Sequence, residues 1–260
     1  MNNPDSEIKR WGIIVLQSLS KDDIQTGEIL YNDILRYKKH YKKECFTNFY
    51  NVNSVKEFYA KLKIVENTLN EGDILTLQIE THGHDDGIAF SNGDILSWKD
   101  FYDIIRPINI KTGHLLLLVL AMCNSIAMMS YINPEQRAPY RAVICTTRNV
   151  SADEIERGFN AFYDNYFNLL DTFKALSSLQ NEIKDSNRVS PFQILSAESI
   201  FDETLLRQKI SHELVENQLT RLNLPNTEEE NRVIIENSIK NRLKESHEKF
   251  YDFYNFRDIY

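Results

Sequence analysis

The chain has 260 residues, 42% hydrophobic and 26% charged, which is enough to bury a full core at an ordinary globular composition. Its net charge of −8 argues against a nucleic-acid-binding surface as its main business. Three scattered cysteines, Cys45, Cys123 and Cys145, are too few for a disulfide framework and suit a reducing compartment.

The polar start Met1-Asn-Asn-Pro-Asp-Ser-Glu7 carries no signal pattern. The longest apolar run, near residues 115–123, is about half of what spans a bilayer. The expectation is a cytoplasmic protein with neither membrane nor nucleic acid as a partner.

In chain order, Gly12–Leu16 reads as a buried strand, followed by the polar turn Ser18-Leu-Ser-Lys-Asp-Asp23. Leu30, Ile34, Tyr37 and Tyr41 space a helix that begins after Thr26-Gly27. Cys45–Tyr50 is a second strand, and Ser54-Val-Lys-Glu57 is a capping box for a helix with Phe58, Leu62, Val65 and Leu69 on one face. Asp73–Glu80 is a third strand, ending at Thr81-His82-Gly83. Gly87–Phe90 and Ile95-Leu96, around Ser91-Asn-Gly-Asp94, form a short hairpin. A helix opening at Ser97-Trp-Lys-Asp100 is expected to stop before Pro107.

His114–Ala121 is apolar nearly throughout, as a central parallel strand should be, and ends at Met122-Cys123-Asn124-Ser125. A short helix over 125–131 and a strand over Ala142–Thr147 follow. Ser151-Ala-Asp-Glu154 caps a long helix keeping Ile155, Phe159, Phe162, Tyr166, Leu169 and Phe173 in register. Phe192–Leu195 is a sixth short strand. Residues 197–222 and 227–250 read as charged helices broken at Leu224-Pro225. This alternation predicts an α/β fold with a central, mostly parallel sheet between two helical layers. Residues 1–170 form the main domain, and 171–260 a mostly helical extension that completes or flanks it.

Two buried strands therefore deliver a histidine and a cysteine to one sheet edge, where open α/β sheets place their chemistry. Cys123 stands where an apolar strand gives way to a helix start, whose dipole favours the thiolate. Cys45 and Cys145 lie in strands and read as core. His82 is a candidate general base. Gly83 allows close backbone approach, and its N–H, with that of Cys123, can receive an oxyanion.

These blocks resemble the caspase-like cysteine peptidases, and more narrowly bacterial CHAT-type domains. The likeness rests on Glu80-Thr-His-Gly83, Asp86-Gly-Ile88, Trp98 and Ala121-Met-Cys-Asn-Ser125, and spans roughly residues 11–170. It implies a three-layer caspase-like sandwich, His82 as base, Cys123 as nucleophile, Gly83 in the oxyanion hole and no cofactor. Many relatives carry Gly shortly after the Cys, where this chain has Asn124-Ser125. The acidic residue that metacaspases place just before the Cys is replaced by Ala121-Met122, so their arginine specificity finds no support there.

In such folds the loop after the first strand helps line the pocket for the residue before the cut. Here it holds Lys21, Asp22 and Asp23. Asp22 and Asp23 facing the pocket would select a basic residue, Lys21 an acidic one, while a solvated turn ahead of a helix is the plainer alternative. The implied function is cleavage of a protein substrate in bacterial immunity or programmed cell death, a gasdermin-like or other effector being one candidate substrate. A regulatory partner or self-association would restrain it.

Two other readings stand beside this one. A catalytically inactive caspase-like scaffold would keep the fold and bind partners. A metal-dependent hydrolase would use His82-x-His84-x-Asp86, but Gly87 stands where that motif needs a further histidine. The terminal aromatics Phe250, Tyr251, Phe253, Tyr254 and Phe256 read first as a packing stripe.

Overall fold

The computed structural model describes residues 10–38, 40, 44–133, 135–169, 171–183, 189–207, 220 and 229–259. Two compact units are present: residues 1–131 with 139–196, and 132–138 with 197–260.

In the first unit, β1 (Trp11–Gln17) leads through a polar loop into α1 (Thr26–Leu30), which continues as a π-helical turn over Tyr31–Leu35. Then come β2 (Cys45–Asn51), α2 (Val55–Thr68) and β3 (Ile74–Glu80). The Ser54 side chain accepts from the Glu57 amide, as the capping box requires. Three short strands follow, β4 (His82–His84), β5 (Gly87–Ala89) and β6 (Ile95–Ser97), paired antiparallel in a sheet of their own. Next are α3 (Trp98–Lys111), β7 (Leu116–Ala121), a 3-10 turn over Ser125–Tyr131 and β8 (Ala142–Thr146). Helices α4 (Ala152–Leu169) and α5 (Thr172–Ile183) lead to β9 (Phe192–Ser196).

The main sheet has the order β2-β1-β3-β7-β8-β9, parallel except for β9, which runs antiparallel to β8. One face buries Ile13, Val15, Leu117, Val119 and Ile144 with Leu30 of α1, Phe159, Phe162 and Tyr163 of α4, and Leu176 and Leu179 of α5. Residues of opposite parity, Ile14, Leu16, Leu75, Leu77, Ile79, Leu118 and Leu120, are buried as fully. The buried stripes Phe58, Leu62, Val65 of α2 and Trp98, Phe101, Tyr102, Ile105 of α3 are the apolar complement to that second face. Both faces being dry explains why β3 and β7 are nearly continuous apolar runs.

The order reverses after β2: the chain moves outward from β1 to β2, then returns to place β3 on the other side of β1. This is a topological switch point, and the loops leaving the carboxyl ends of β1 and β3 part around a crevice there.

Two expectations are corrected. Helix α3 does not stop before Pro107 but runs through it to Lys111. The ring is exposed, and burial of Ile105, Ile108 and Asn109 on either side offsets the lost backbone bond. The long helix ends at Leu169, and a second starts at Thr172, where Asp171 accepts from the Phe173 and Lys174 amides. Phe173, expected in the packed register, is 71% exposed. Helix α5 and β9, from the stretch read as completing or flanking the main domain, group with the sheet.

In the second unit, α6 (Ala197–Arg207) and α7 (Glu229–Tyr254) are followed by a 3-10 turn over Arg257–Ile259. Phe201 packs on Tyr251 and Tyr254, and the Arg137 guanidinium lies over Phe253 and Phe256 while pairing with Asp258. Of the aromatics read as a packing stripe, Tyr254 and Phe256 are buried, Phe250 and Tyr251 are partly buried, and Phe253 is exposed. The helical reading of 208–219 and 221–222, and the break at Leu224-Pro225, lie outside the described residues.

Pro107→Ala is expected to stabilise the protein by about 1–2 kcal/mol, because it restores an amide that can bond the Asp103 carbonyl on an exposed helix face. Urea denaturation measures this; a loss of stability would show that the proline ring is itself packed.

Candidate active site

The residues singled out in the sequence meet at the carboxyl edge of β3 and β7. Glu80 and Ala121 are neighbours in register, so the His82 and Cys123 segments leave adjacent strands at the same level. They then touch. A Cβ on Gly83 would stand 1.8 Å from the Cys123 carbonyl oxygen and 3.2 Å from its nitrogen, so only glycine allows the approach. A second tie links the same segments: the Asn124 side chain donates to Asp85 Oδ1 at 3.0 Å, and the Asp85 carbonyl accepts from Trp98 Nε1 at 3.0 Å.

The cysteine turn is fixed from below by buried hydroxyls. Ser125 N donates to Thr146 Oγ1 at 3.2 Å, Thr146 N to Ser125 Oγ at 2.9 Å, and Thr146 Oγ1 to the Met122 carbonyl at 2.5 Å. Asn124 adopts φ 47°, a left-handed conformation that asparagine tolerates better than most residues. The Cys123 N–H carries no hydrogen bond among the described residues.

The thiol is partly exposed and engages the backbone of one residue: Val150 N donates to Sγ at 3.4 Å, and Sγ donates to the Val150 carbonyl at 3.5 Å. Val150 precedes Ser151, which caps α4 through a reciprocal box with Glu154. The helix end beside the sulfur is therefore that of α4, 18 residues long, rather than that of the 3-10 turn following Cys123. Burial pushes the Cys145 thiol up to about 12.

The His82 side chain is 58% exposed, and its Nε2 lies 2.9 Å from Asp23 Oδ2. Asp23 also accepts from the Ser20 amide and hydroxyl, both at 2.8 Å. Its carboxyl is held below the usual range, chiefly by the His82 hydrogen bond and then by Ser20. An ionised carboxylate only accepts, so Nε2 carries the proton of this contact, and in the neutral ring Nδ1 is then the acceptor nitrogen. The Asp23 carboxylate is engaged by His82 and Ser20. Asp22 beside it is exposed and engages no side chain among the described residues. Among those residues the imidazole bonds to Asp23 and the thiol to Val150, not to each other.

Behind the histidine lies a buried carboxyl, Glu80, which pairs with the Thr26 hydroxyl and the Gln78 amide. Burial raises it from an ordinary 4.5 to about 7, against the pull of those two hydrogen bonds.

The alternative metal motif does not assemble. His84 Nδ1 accepts from the Asp86 amide, His82 turns to Asp23, and no three His, Cys, Asp or Glu side chains gather as a ligand set among the described residues. The roles of Asp23, Val150, Asn124 and Glu80 escape sequence reading; Asn124 alone left a local signal, an asparagine directly after a strand-end cysteine. No family model matches this chain, and no curated protein matches it. Fold and site together define a mixed α/β protein with a Cys, a His and an Asp at the edge of a six-stranded, mostly parallel sheet.

Two outcomes follow. Gly83→Ala should unseat the histidine strand from the cysteine turn, lowering the melting temperature more than Cys123→Ala does; equal melting temperatures in thermal scans would contradict the packing. Glu80→Gln should stabilise the protein only at higher pH. Both folded and unfolded carboxyls are protonated below 4.5; between there and about 7 only the unfolded one ionises, so wild-type stability falls over that interval. Urea denaturation should find the variant better at pH 8, relative to pH 4, by up to about 3 kcal/mol.

Proposed function

We propose that this chain is a caspase-like cysteine endopeptidase in which Cys123 is the nucleophile, His82 the base and Asp23 the residue that orients the base. The observation that carries the reading is the backbone contact of Gly83 on Cys123, which joins the histidine and cysteine segments while Asp23 fixes the imidazole tautomer. The parallel order and the site at the strand ends support the caspase-like assignment of the fold.

In the reaction, His82 Nδ1 takes the Cys123 proton and the thiolate attacks the scissile carbonyl. The oxyanion rests on the unengaged Cys123 N–H with Gly83 N–H as the second donor. His82, stabilised as imidazolium by Asp23, protonates the leaving amine, and the acyl-sulfur bond forms as the peptide bond breaks. Water activated by Nδ1 then hydrolyses the thioester and regenerates the thiol. No cofactor enters.

The positions found here are those of a resting site: the thiol must leave the Val150 peptide and turn to the imidazole. That supports a peptidase held in check by a partner or by self-association, acting on a protein substrate in the cytoplasm. No helix among the described residues is long and apolar enough to cross a membrane. A role in bacterial immunity or programmed death, with a gasdermin-like or other effector as substrate, extends the same analogy. The same resting geometry also favours, as a second reading, an inactive scaffold of this fold.

The test is labelling by peptidyl acyloxymethyl ketones carrying Asp, Lys, Arg, Leu or Ala before the warhead, with and without a chelator. Wild type should be modified at Cys123 regardless of chelator, His82→Ala and Cys123→Ala should not, and Asp23→Asn should slow labelling at least about 10-fold. Labelling lost to chelator would favour metal chemistry, and none at all, even with candidate activators, the scaffold.

A further inference from the structure

We propose that Glu80 is a positioning residue for His82, holding α1 and the loop that carries Asp23 in register with the strand that carries the histidine. The proposal rests on the reading of His82 as the catalytic base.

The chain of contacts can be followed bond by bond. Glu80 ends β3, two residues before His82, and is 1% exposed. One carboxyl oxygen pairs with the hydroxyl of Thr26, the first residue of α1. The other accepts from Gln78 Nε2. The orientation of that amide is fixed, because Gln78 Oε1 accepts from the Tyr163 hydroxyl of α4 at 2.6 Å. Next to Thr26, a Cβ on Gly27 would stand 3.0 Å from Gln17 Oε1 and 3.3 Å from the Glu80 carboxyl carbon, so α1 is seated closely on this polar group.

Gln17 carries the connection onward. Its Oε1 accepts from the Glu28 amide at 3.0 Å, and its Nε2 donates to Gln25 Oε1 at 2.8 Å. Gln25 Nε2 in turn donates to the carbonyls of Ser20 and Asp23, at 2.7 and 2.8 Å. The Asp23 backbone is thereby fixed, and its side chain meets the imidazole at 2.9 Å. A backbone bond closes the circuit at the start of the loop, from Ser18 N to the Glu80 carbonyl at 2.8 Å.

A buried carboxyl with no ion-pair partner among the described residues is a poor way to stabilise a core, where an apolar residue would cost less. What it supplies is direction: two fixed bonds at one point, one to the helix that follows the Asp23 loop and one to the strand that leads to His82. The Thr26 hydroxyl donates to one carboxyl oxygen and Gln78 Nε2 to the other. A glutamine amide keeps both contacts, its oxygen accepting from Gln78 and its N–H donating to the Thr26 hydroxyl, which can also accept. Leucine offers neither.

The experiment compares wild type, Glu80→Gln, Glu80→Leu and Thr26→Val in the full chain, with two readouts. Nitrogen-15 NMR of the histidine rings, with His82→Ala for assignment, reports the His82 tautomer directly. Acyloxymethyl ketone labelling reports Cys123. Wild type and Glu80→Gln should keep the proton on Nε2 and label at matching rates. Thr26→Val, which removes only the hydroxyl, should give mixed His82 tautomers and label about 10-fold more slowly, as a misplaced base does. Glu80→Leu should do the same where it folds. Retention of both the Nε2 tautomer and the rate in Thr26→Val would overturn the proposal. Should wild-type labelling prove indifferent to His82, the peptidase reading fails by itself. The ring spectra still decide the role of Glu80: mixed tautomers in Thr26→Val support it, an unchanged ring overturns it.

Discussion

A side chain at position 83 would drive its first carbon to 1.8 Å from the Cys123 carbonyl oxygen, so the histidine and cysteine segments can meet only through bare backbone. The proposed chemistry depends on that meeting. The parallel register of β3 and β7 brings Glu80 level with Ala121, and the missing side chain lets the next residues close the remaining gap. Asn124 to Asp85 then holds the two segments together with a hydrogen bond at the rim. The sheet supplies the level, the glycine the distance and the asparagine the lateral fix.

A second constraint comes from strand order. Because β1 has β2 on one side and β3 on the other, the loop after β1 opens toward the end of β3. Asp23 reaches His82 across that crevice, and its carboxylate accepts from the imidazole Nε2. Behind this pair lies a buried polar layer of Gln17, Thr26, Gln78, Glu80 and Tyr163. Stability alone would fill that space with apolar groups. A polar layer gives geometry at a cost that the raised Glu80 makes visible.

Much of this architecture was legible because its causes are local. Apolar runs bounded by turns gave the six strands of the main sheet, the Ser54 and Ser151 boxes gave helix starts, and Asn92-Gly93 gave the hairpin. His82 and Cys123 could be singled out because each ends a buried strand. The misjudged features depend on distant residues. Proline stops a helix only when packing does not compensate, and Pro107 lies between buried Ile105 and Ile108. The Asp23–His82 pair follows from strand order, which no pairwise spacing reveals. Val150, the partner of the thiol, is 27 residues away across β8. Glu80 looked like the polar end of a strand, and its burial is created by α1 and α4 closing over it.

The central claim is that the Cys123 thiol and the His82 imidazole act as one unit. Site-resolved alkylation by a small neutral reagent such as chloroacetamide, followed from pH 5 to 9 by mass spectrometry, tests it most directly. Cys45 and Cys145 are buried and serve as internal references. With candidate activators present, a working pair predicts that His82→Ala changes the pH profile of Cys123 alkylation relative to wild type. Superimposable Cys123 profiles in the two proteins would contradict the account, because the thiol would then be ionising without the histidine.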